Sequence, residues 1–349
     1  LNMENVDNEK RLEVDRKRPH VVILGAGASV DTFPNGDKYG KKLPVMNNFL
    51  NTIGMEHILD GVTLKTTSNN LEDIYSELYD RGDECKNVRM NIENGIRTYF
   101  KSLVIPDTPT KYDLLLLSLT NKDCVASFNW DDLLLQAYNR VNKITNNLPE
   151  LIFLHGNVSA GYCKECNRFG HISNICPKCE KPFDPVPLLY PVIHKDYNQN
   201  LFIRDEWQNV SDFLSRAILV TVYGYSAPKS DKEASNLLKK GFSRMEGIHK
   251  LDKIEIIERK GFDNENLSST WRFFIKGTHG FYKIFDSFFN SLLAKAPRRT
   301  VEFYVKQNLA DSWWGESKIQ FKDGLSFDEI KKIVQPLILD EEKGIFEIL

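Results

Sequence analysis

The chain has 349 residues, 41% of them hydrophobic and 27% charged, a balance that supports a sizeable core and excludes wholesale disorder. At roughly 150 residues per domain, that length suggests about two domains. Lys plus Arg number 46 against 48 for Asp plus Glu, a net charge of −2, so a chain-wide basic footprint for nucleic acid or an anionic membrane is missing.

Residues 1–17 read as a charged N-terminal arm without the apolar stretch of a signal peptide. No apolar run reaches the roughly 18 residues of a membrane span. Val21-Val22-Ile23-Leu24 is the first predicted strand and runs into Gly25-Ala26-Gly27-Ala28-Ser29. Residues 41–119 read as a mostly helical insertion, with Leu71, Ile74, Tyr75 and Leu78 at i, i+3, i+4 and i+7. Cys124–Phe128 is a second predicted strand, followed by a helix over Asp132–Arg140. Leu151–Leu154, Ala217–Tyr223 and Ile254–Glu258 are the third, fourth and fifth strands. Strands separated by helical text predict a doubly wound parallel α/β sheet, whose ligands sit at the carboxyl ends of the strands. Beyond 295 the text changes. Val301–Val305 reads as a strand, Trp313-Trp314 as core or interface, and Phe327–Leu339 as an amphipathic helix. Residues 296–349 are thus expected to form a small C-terminal module, a candidate oligomer or partner interface.

Four of the six cysteines form Cys163-x-x-Cys166 and Cys176-x-x-Cys179. Two such turns close a tetrahedral zinc site, and an all-thiolate set leaves no open coordination position. Residues 160–184 are therefore expected to be a structural zinc knuckle, with His171 and His194 as fallback ligands. In a chain read as lacking an export signal, this pattern fits a reducing cytoplasm.

Gly25-x-Gly27-x-Ser29 after a strand suits a phosphate cradle, or simply a tight turn, since position 30 is Val rather than Gly. Asn129 and Asp131 follow the second strand and offer polar groups to a sugar or a water, or form an Asx turn. His155 ends the third strand, where it can act as a general base or as a structural histidine. Tyr223-Gly224-Tyr225-Ser226, with Asp231 beyond, could contact a ribose or be a strand-to-helix turn.

In chain order, GAGAS, FNWD, LHGN, the paired CxxC and YGYS resemble the sirtuin superfamily over roughly Arg18–Ala294. The resemblance implies a Rossmann-like NAD-binding domain over residues 18–295. Gly25, Ala26, Gly27 and Ser29 would hold the pyrophosphate. Asn129 and Asp131 would line the nicotinamide-ribose side, His155 would be the catalytic base, and Gly224 and Ser226 would lie near the adenosine ribose. It also implies structural zinc on Cys163, Cys166, Cys176 and Cys179.

Protein-deacylating sirtuins continue the glycine turn with G-I-P-D-F-R; here Asp31-Thr32-Phe33-Pro34-Asn35-Gly36 stands there. Their Phe-Gly-Glu segment is replaced by Leu188–Lys195. The text, with Trp207 and a GYS-x-P-x-S-D stretch at 224–231, is more similar to bacterial sirtuin-like proteins of antiphage defence. That likeness implies an NAD+ glycohydrolase, homo-oligomers and a HerA-type ATPase partner. A sirtuin-type deacylase and a non-catalytic NAD or ADP-ribose sensor are the alternatives.

Overall fold

The computed structural model describes residues 13–190, 200–226, 232–243, 253–258, 271, 282–309, 317 and 319–346. Its strands are β1 (His20–Leu24), β2 (Cys124–Ser127), β3 (Glu150–Phe153), β4 (Ala160–Cys163), β5 (Arg168–His171), β6 (Asp184–Pro185), β7 (Leu219–Tyr223), β8 (Lys253–Ile257) and β9 (Tyr282–Phe285). The helices up to residue 141 are α1 (Ala26–Thr32), α2 (Phe49–Thr52), α3 (Leu71–Asp80), α4 (Lys86–Lys101), α5 (Lys111–Leu117) and α6 (Leu133–Val141). After the small sheet come α7 (Leu201–Arg216), α8 (Lys232–Ser243), α9 (Leu292–Lys295), α10 (Thr300–Leu309) and α11 (Phe327–Glu342).

Six strands pair in parallel in the order β3-β2-β1-β7-β8-β9. Successive side chains on a strand face opposite ways, and β1 shows it. Val22 and Leu24 join one core with the insertion helices, whereas Val21 and Ile23 join a second core with α7 and α8. Both faces are covered, as a parallel sheet requires. The fold is the expected Rossmann-like α/β sheet with helices on both sides.

The register sets up the site. Leu24 stands opposite Ser127 and Tyr223, Ser127 opposite Phe153, Tyr223 opposite Ile257, and Ile257 opposite Phe285. All six strands therefore end in one row, and whatever follows them shares one rim. Strand order reverses between β1 and β7, which opens the crevice where such sheets take ligands.

The insertion carries α2 to α5. Leu71, Ile74, Tyr75 and Leu78 are buried along α3, and Asn70 caps it by accepting from Glu72 N at 2.8 Å. One expectation fails, and one strand was not foreseen. Val301–Val305 lies in helix α10, not in a strand. Val301, Phe303, Tyr304 and Val305 are buried with Ile218, Leu219, Leu292 and Ala296. A helix satisfies its backbone groups internally, so it can fill that space without a sheet edge, and burial overrides β-propensity. The sixth strand, β9, was not expected; its edge position leaves Tyr282 and Lys283 exposed, so it lacks an apolar run. Within 296–349, Phe321, Ile330, Val334 and Ile338 belong to the same core as the insertion. Trp313 and Trp314 lie outside the described residues. No described helix is long and apolar enough to cross a membrane.

Candidate active site

A cavity of about 380 Å³ opens at the row of strand ends, within the roughly 300–1,000 Å³ of small-molecule sites. On the sheet side it is lined by Ala26, Gly27 and Ser29 after β1, Asn129 and Asp131 after β2, and His155 after β3. Gly224, Tyr225 and Ser226 after β7 and Glu258 after β8 complete that side. Phe49, Phe100 and Trp130 form an aromatic wall against the insertion, meeting edge to face at centroid distances of 6.1–6.2 Å.

The glycine turn packs against the turn after β7. The Gly27 N–H donates to Gly224 O at 3.0 Å, Gly25 N to Tyr223 O and Ala28 N to Gly25 O, each also at 3.0 Å. A Cβ on Gly27 would lie 2.9 Å from the Gly224 backbone. Close approach of β1 and β7 therefore requires small residues here whether or not a ligand is bound. With those three amides engaged, contact with a phosphate falls to the remaining groups of the turn.

Asn129 and Asp131 are buried and share a hydroxyl. Asn129 Nδ2 donates to Gly25 O at 3.0 Å and to Ser29 Oγ at 2.9 Å. Ser29 Oγ donates to Asp131 Oδ2 at 3.2 Å and meets the Tyr112 hydroxyl at 2.7 Å. Asp131 Oδ1 also accepts from Leu133 N at 3.1 Å, closing the turn into α6. Burial pushes the Asp131 carboxyl from 3.8 up to about 6, with the Leu133 amide and the Ser29 hydroxyl opposing the rise.

His155 is buried, edge-on to Phe128 with ring centroids 4.7 Å apart. Phe128 in turn stacks on Tyr225 at 4.0 Å. Leu189 N donates to His155 O at 3.0 Å, and Trp207 Nε1 on α7 donates to Leu154 O at 3.1 Å. At Gly156, with φ +78°, a Cβ would come within 2.1 Å of Pro187 O, so the segment leaving the knuckle crosses directly over the turn after β3. Four strand ends, those of β1, β2, β3 and β7, thus bring the expected residues Gly25, Ala26, Gly27, Ser29, Asn129, Asp131, His155, Gly224 and Ser226 to one rim. Asp231 lies outside the described residues. Tyr112 and Glu258 were missed. Nothing marks Tyr112 within its apolar run, but Glu258, an acidic residue ending a predicted strand, was legible as a rim residue by its position.

Beyond the rim, β5-β4-β6 form a small antiparallel sheet. Its four cysteines place their sulfurs within 4.8 Å of one another, Cys163 and Cys179 at 3.4 Å. Zn–S bonds of about 2.3 Å put tetrahedral sulfurs about 3.8 Å apart, so the set fits zinc. Backbone N–H groups of Cys179 and Lys178 hold the Cys176 thiol below its ordinary range, while burial raises Cys163 and Cys166, so the four thiols share their protons unevenly until a metal displaces them. His171 instead pairs with Ser173 at 2.6 Å, and His194 lies outside the described residues.

No protein-family model matches the chain, and no curated protein does. Among solved structures the chain is similar to a Sir2 bound to the inhibitor EX-527, 2′-O-acetyl-ADP-ribose and a deacetylated p53 peptide. They share 19% identity over 86% of this chain and 96% of that one, with a TM-score of 0.38. A Sir2 homolog–NAD complex matches at 16% identity over 86% and 95%, also with a TM-score of 0.38. A Sir2 homologue bound to ADP-ribose, with a serine replaced by alanine, matches at 14% over 88% and 99%, again with a TM-score of 0.38. Likeness at that level concerns the course of the chain alone, and the function has to be judged on the residues lining the cavity.

Proposed function

We propose that the chain is a sirtuin-type NAD+ glycohydrolase that cleaves the nicotinamide–ribose bond with water. The observation that carries this is the shared cavity. Asn129 and His155 leave adjacent strands onto the same space as the glycine turn at the point where strand order reverses. The Trp130 indole N–H, buried on the cavity wall with no acceptor among the described residues, is a donor suited to a substrate oxygen.

The chemistry needs little apparatus. Water adds to the anomeric carbon as nicotinamide leaves with the electron pair of the broken bond, which neutralises its ring, so no general acid is required. The products are nicotinamide, ADP-ribose and one proton. Asn129 orients the attacking water or a ribose hydroxyl, and His155 takes the proton. Asp31–Gly36 and Leu188–Lys195, in place of the deacylase motifs, favour water over an acyl-lysine oxygen as nucleophile. A role in antiphage defence by NAD depletion, cytoplasmic location, homo-oligomers and a HerA-type ATPase partner extend the same proposal.

The test is nicotinamide release from NAD+ with and without an acetylated peptide. We expect peptide-independent release, reduced about 10²-fold or more in His155→Ala and Asn129→Ala. Release only with peptide, yielding an acylated ADP-ribose, would establish the deacylase instead. Binding of NAD+ without any cleavage would establish the sensor.

A further inference from the structure

Chemistry fixes which way round the Asn129 amide sits. A backbone carbonyl accepts and cannot donate, so the atom 3.0 Å from Gly25 O is the NH2 group, not the oxygen. One amide hydrogen goes there and the other to Ser29 Oγ at 2.9 Å, with the Tyr112 hydroxyl a longer second acceptor at 3.4 Å. Ser29 has one hydrogen of its own and gives it to Asp131 Oδ2. The 2.7 Å contact between Ser29 Oγ and Tyr112 is therefore made by the phenol's hydrogen. Burial, reinforced by the Asp131 carboxylate, drives the Tyr112 pKa upward, so the phenol keeps that proton. Tyr112 is fully enclosed at the start of α5, its ring edge-on to Phe33 at 5.6 Å. Once both amide hydrogens are engaged, Asn129 has only Oδ1 left, and Asn129 lines the cavity.

We propose that Tyr112 is a positioning residue of this site. Through Ser29 Oγ its O–H locks the Asn129 amide so that Oδ1, an acceptor, is offered to an O–H of the ribose or of the attacking water. This rests on the cavity being the place of NAD+ cleavage. An amide oxygen there orients an O–H without removing its proton, which leaves proton transfer to His155. The helical insertion thus serves the reaction by setting the polarity of a residue on the sheet.

The experiment compares the full chain with Tyr112→Phe, Ser29→Ala and the double variant, measuring kcat and KM for nicotinamide release. Tyr112→Phe keeps the ring, and a thermal melt confirms its fold. We expect kcat to fall about 10-fold or more, with KM and ADP-ribose affinity within about twofold. The double variant should lose far less than the product of the two single losses, because both residues hold the same Asn129 amide group. Unchanged kcat in Tyr112→Phe, or losses that multiply in the double variant, would overturn the proposal. If the wild-type chain releases no nicotinamide, the glycohydrolase reading fails instead. A crystal structure of Tyr112→Phe then decides the geometry without turnover. An Asn129 amide rotated away from Ser29 supports the lock, and one that stays in place overturns it.

Discussion

Gly224 does two things that no other residue type can do at its position. Its φ of +62° is left-handed, and a Cβ there would lie 2.0 Å from Ala28 N and 2.4 Å from Gly27 C. Both obstacles are backbone, so no side chain can swing away to relieve them. Gly54 is a control, since its φ is +72° but a Cβ there would meet nothing within 4 Å. Gly54→Ala should cost about 1 kcal/mol, from backbone strain alone. Gly224→Ala should cost at least about 2 kcal/mol more, and urea denaturation midpoints of the two variants measure the difference. Equal midpoints would mean that the β1 and β7 turns can part without penalty. The sequence showed the glycines but not this reason for them, because it could not say that Gly224 would face Gly27. Asn129 and His155 were legible for a simpler reason: a polar residue ending an apolar strand stands out. Tyr112 was not, because its partners Ser29 and Asn129 are 83 and 17 residues away.

Helix α7 fastens the strand that carries His155. Its Glu206 carboxylate accepts from Phe153 N on the outer edge of β3, and the neighbouring Trp207 Nε1 reaches Leu154 O at 3.1 Å. The helix thereby covers backbone groups that an edge strand would otherwise leave open. Burial raises the Glu206 carboxyl from 4.5 to about 7 against the pull of the Phe153 amide. The folded chain therefore holds this proton more tightly than the unfolded chain between pH 4.5 and about 7. Its contribution to stability is greatest at low pH and falls by up to about 1.4 kcal/mol per pH unit as pH rises through that window. Glu206→Gln keeps an acceptor for Phe153 N and removes the titration. Its melting temperature relative to wild type should be more favourable at pH 8 than at pH 5. A difference independent of pH would show that Glu206 does not titrate there. At this scale the sequence was most readable where an element is enclosed on both faces, as in β1, β2, β7 and β8. It misled at α10 and was silent at β9. A buried helix and an edge strand both depart from the patterns that burial usually prints on a sequence.

The molecule as a whole hangs on two connections to the sheet. At the C-terminal end, Glu341 on α11 accepts from Arg299 Nη1 at 2.6 Å and Arg298 Nε at 2.8 Å, and Asn147 joins at 2.9 Å. That buried junction draws the last described helix into the main core. The second connection is the knuckle. Cys163, Cys176 and Phe183 are its only described residues forming a buried apolar cluster of their own, so without metal it has little to hold it together. It is nonetheless wired to the site. Ile172 N donates to Ser159 O at 2.8 Å, and Ser159 Oγ donates to Asp132 Oδ2 at 2.7 Å, next to Asp131. On its exit, the chain passes Pro187 over Gly156, and Leu189 N holds His155 O. Losing the metal should therefore free the segment that constrains His155 while leaving the sheet and its two large cores folded. Zinc stripped with a chelator under reducing conditions, or Cys176→Ser, should lower nicotinamide release about 10-fold or more. Hydrogen exchange should rise first across residues 160–189, with far-ultraviolet circular dichroism nearly unchanged. Metal-free protein, verified by elemental analysis, that kept full turnover would show that the knuckle is a passenger. Global unfolding would instead show that zinc supports the whole chain and not one wall of the site.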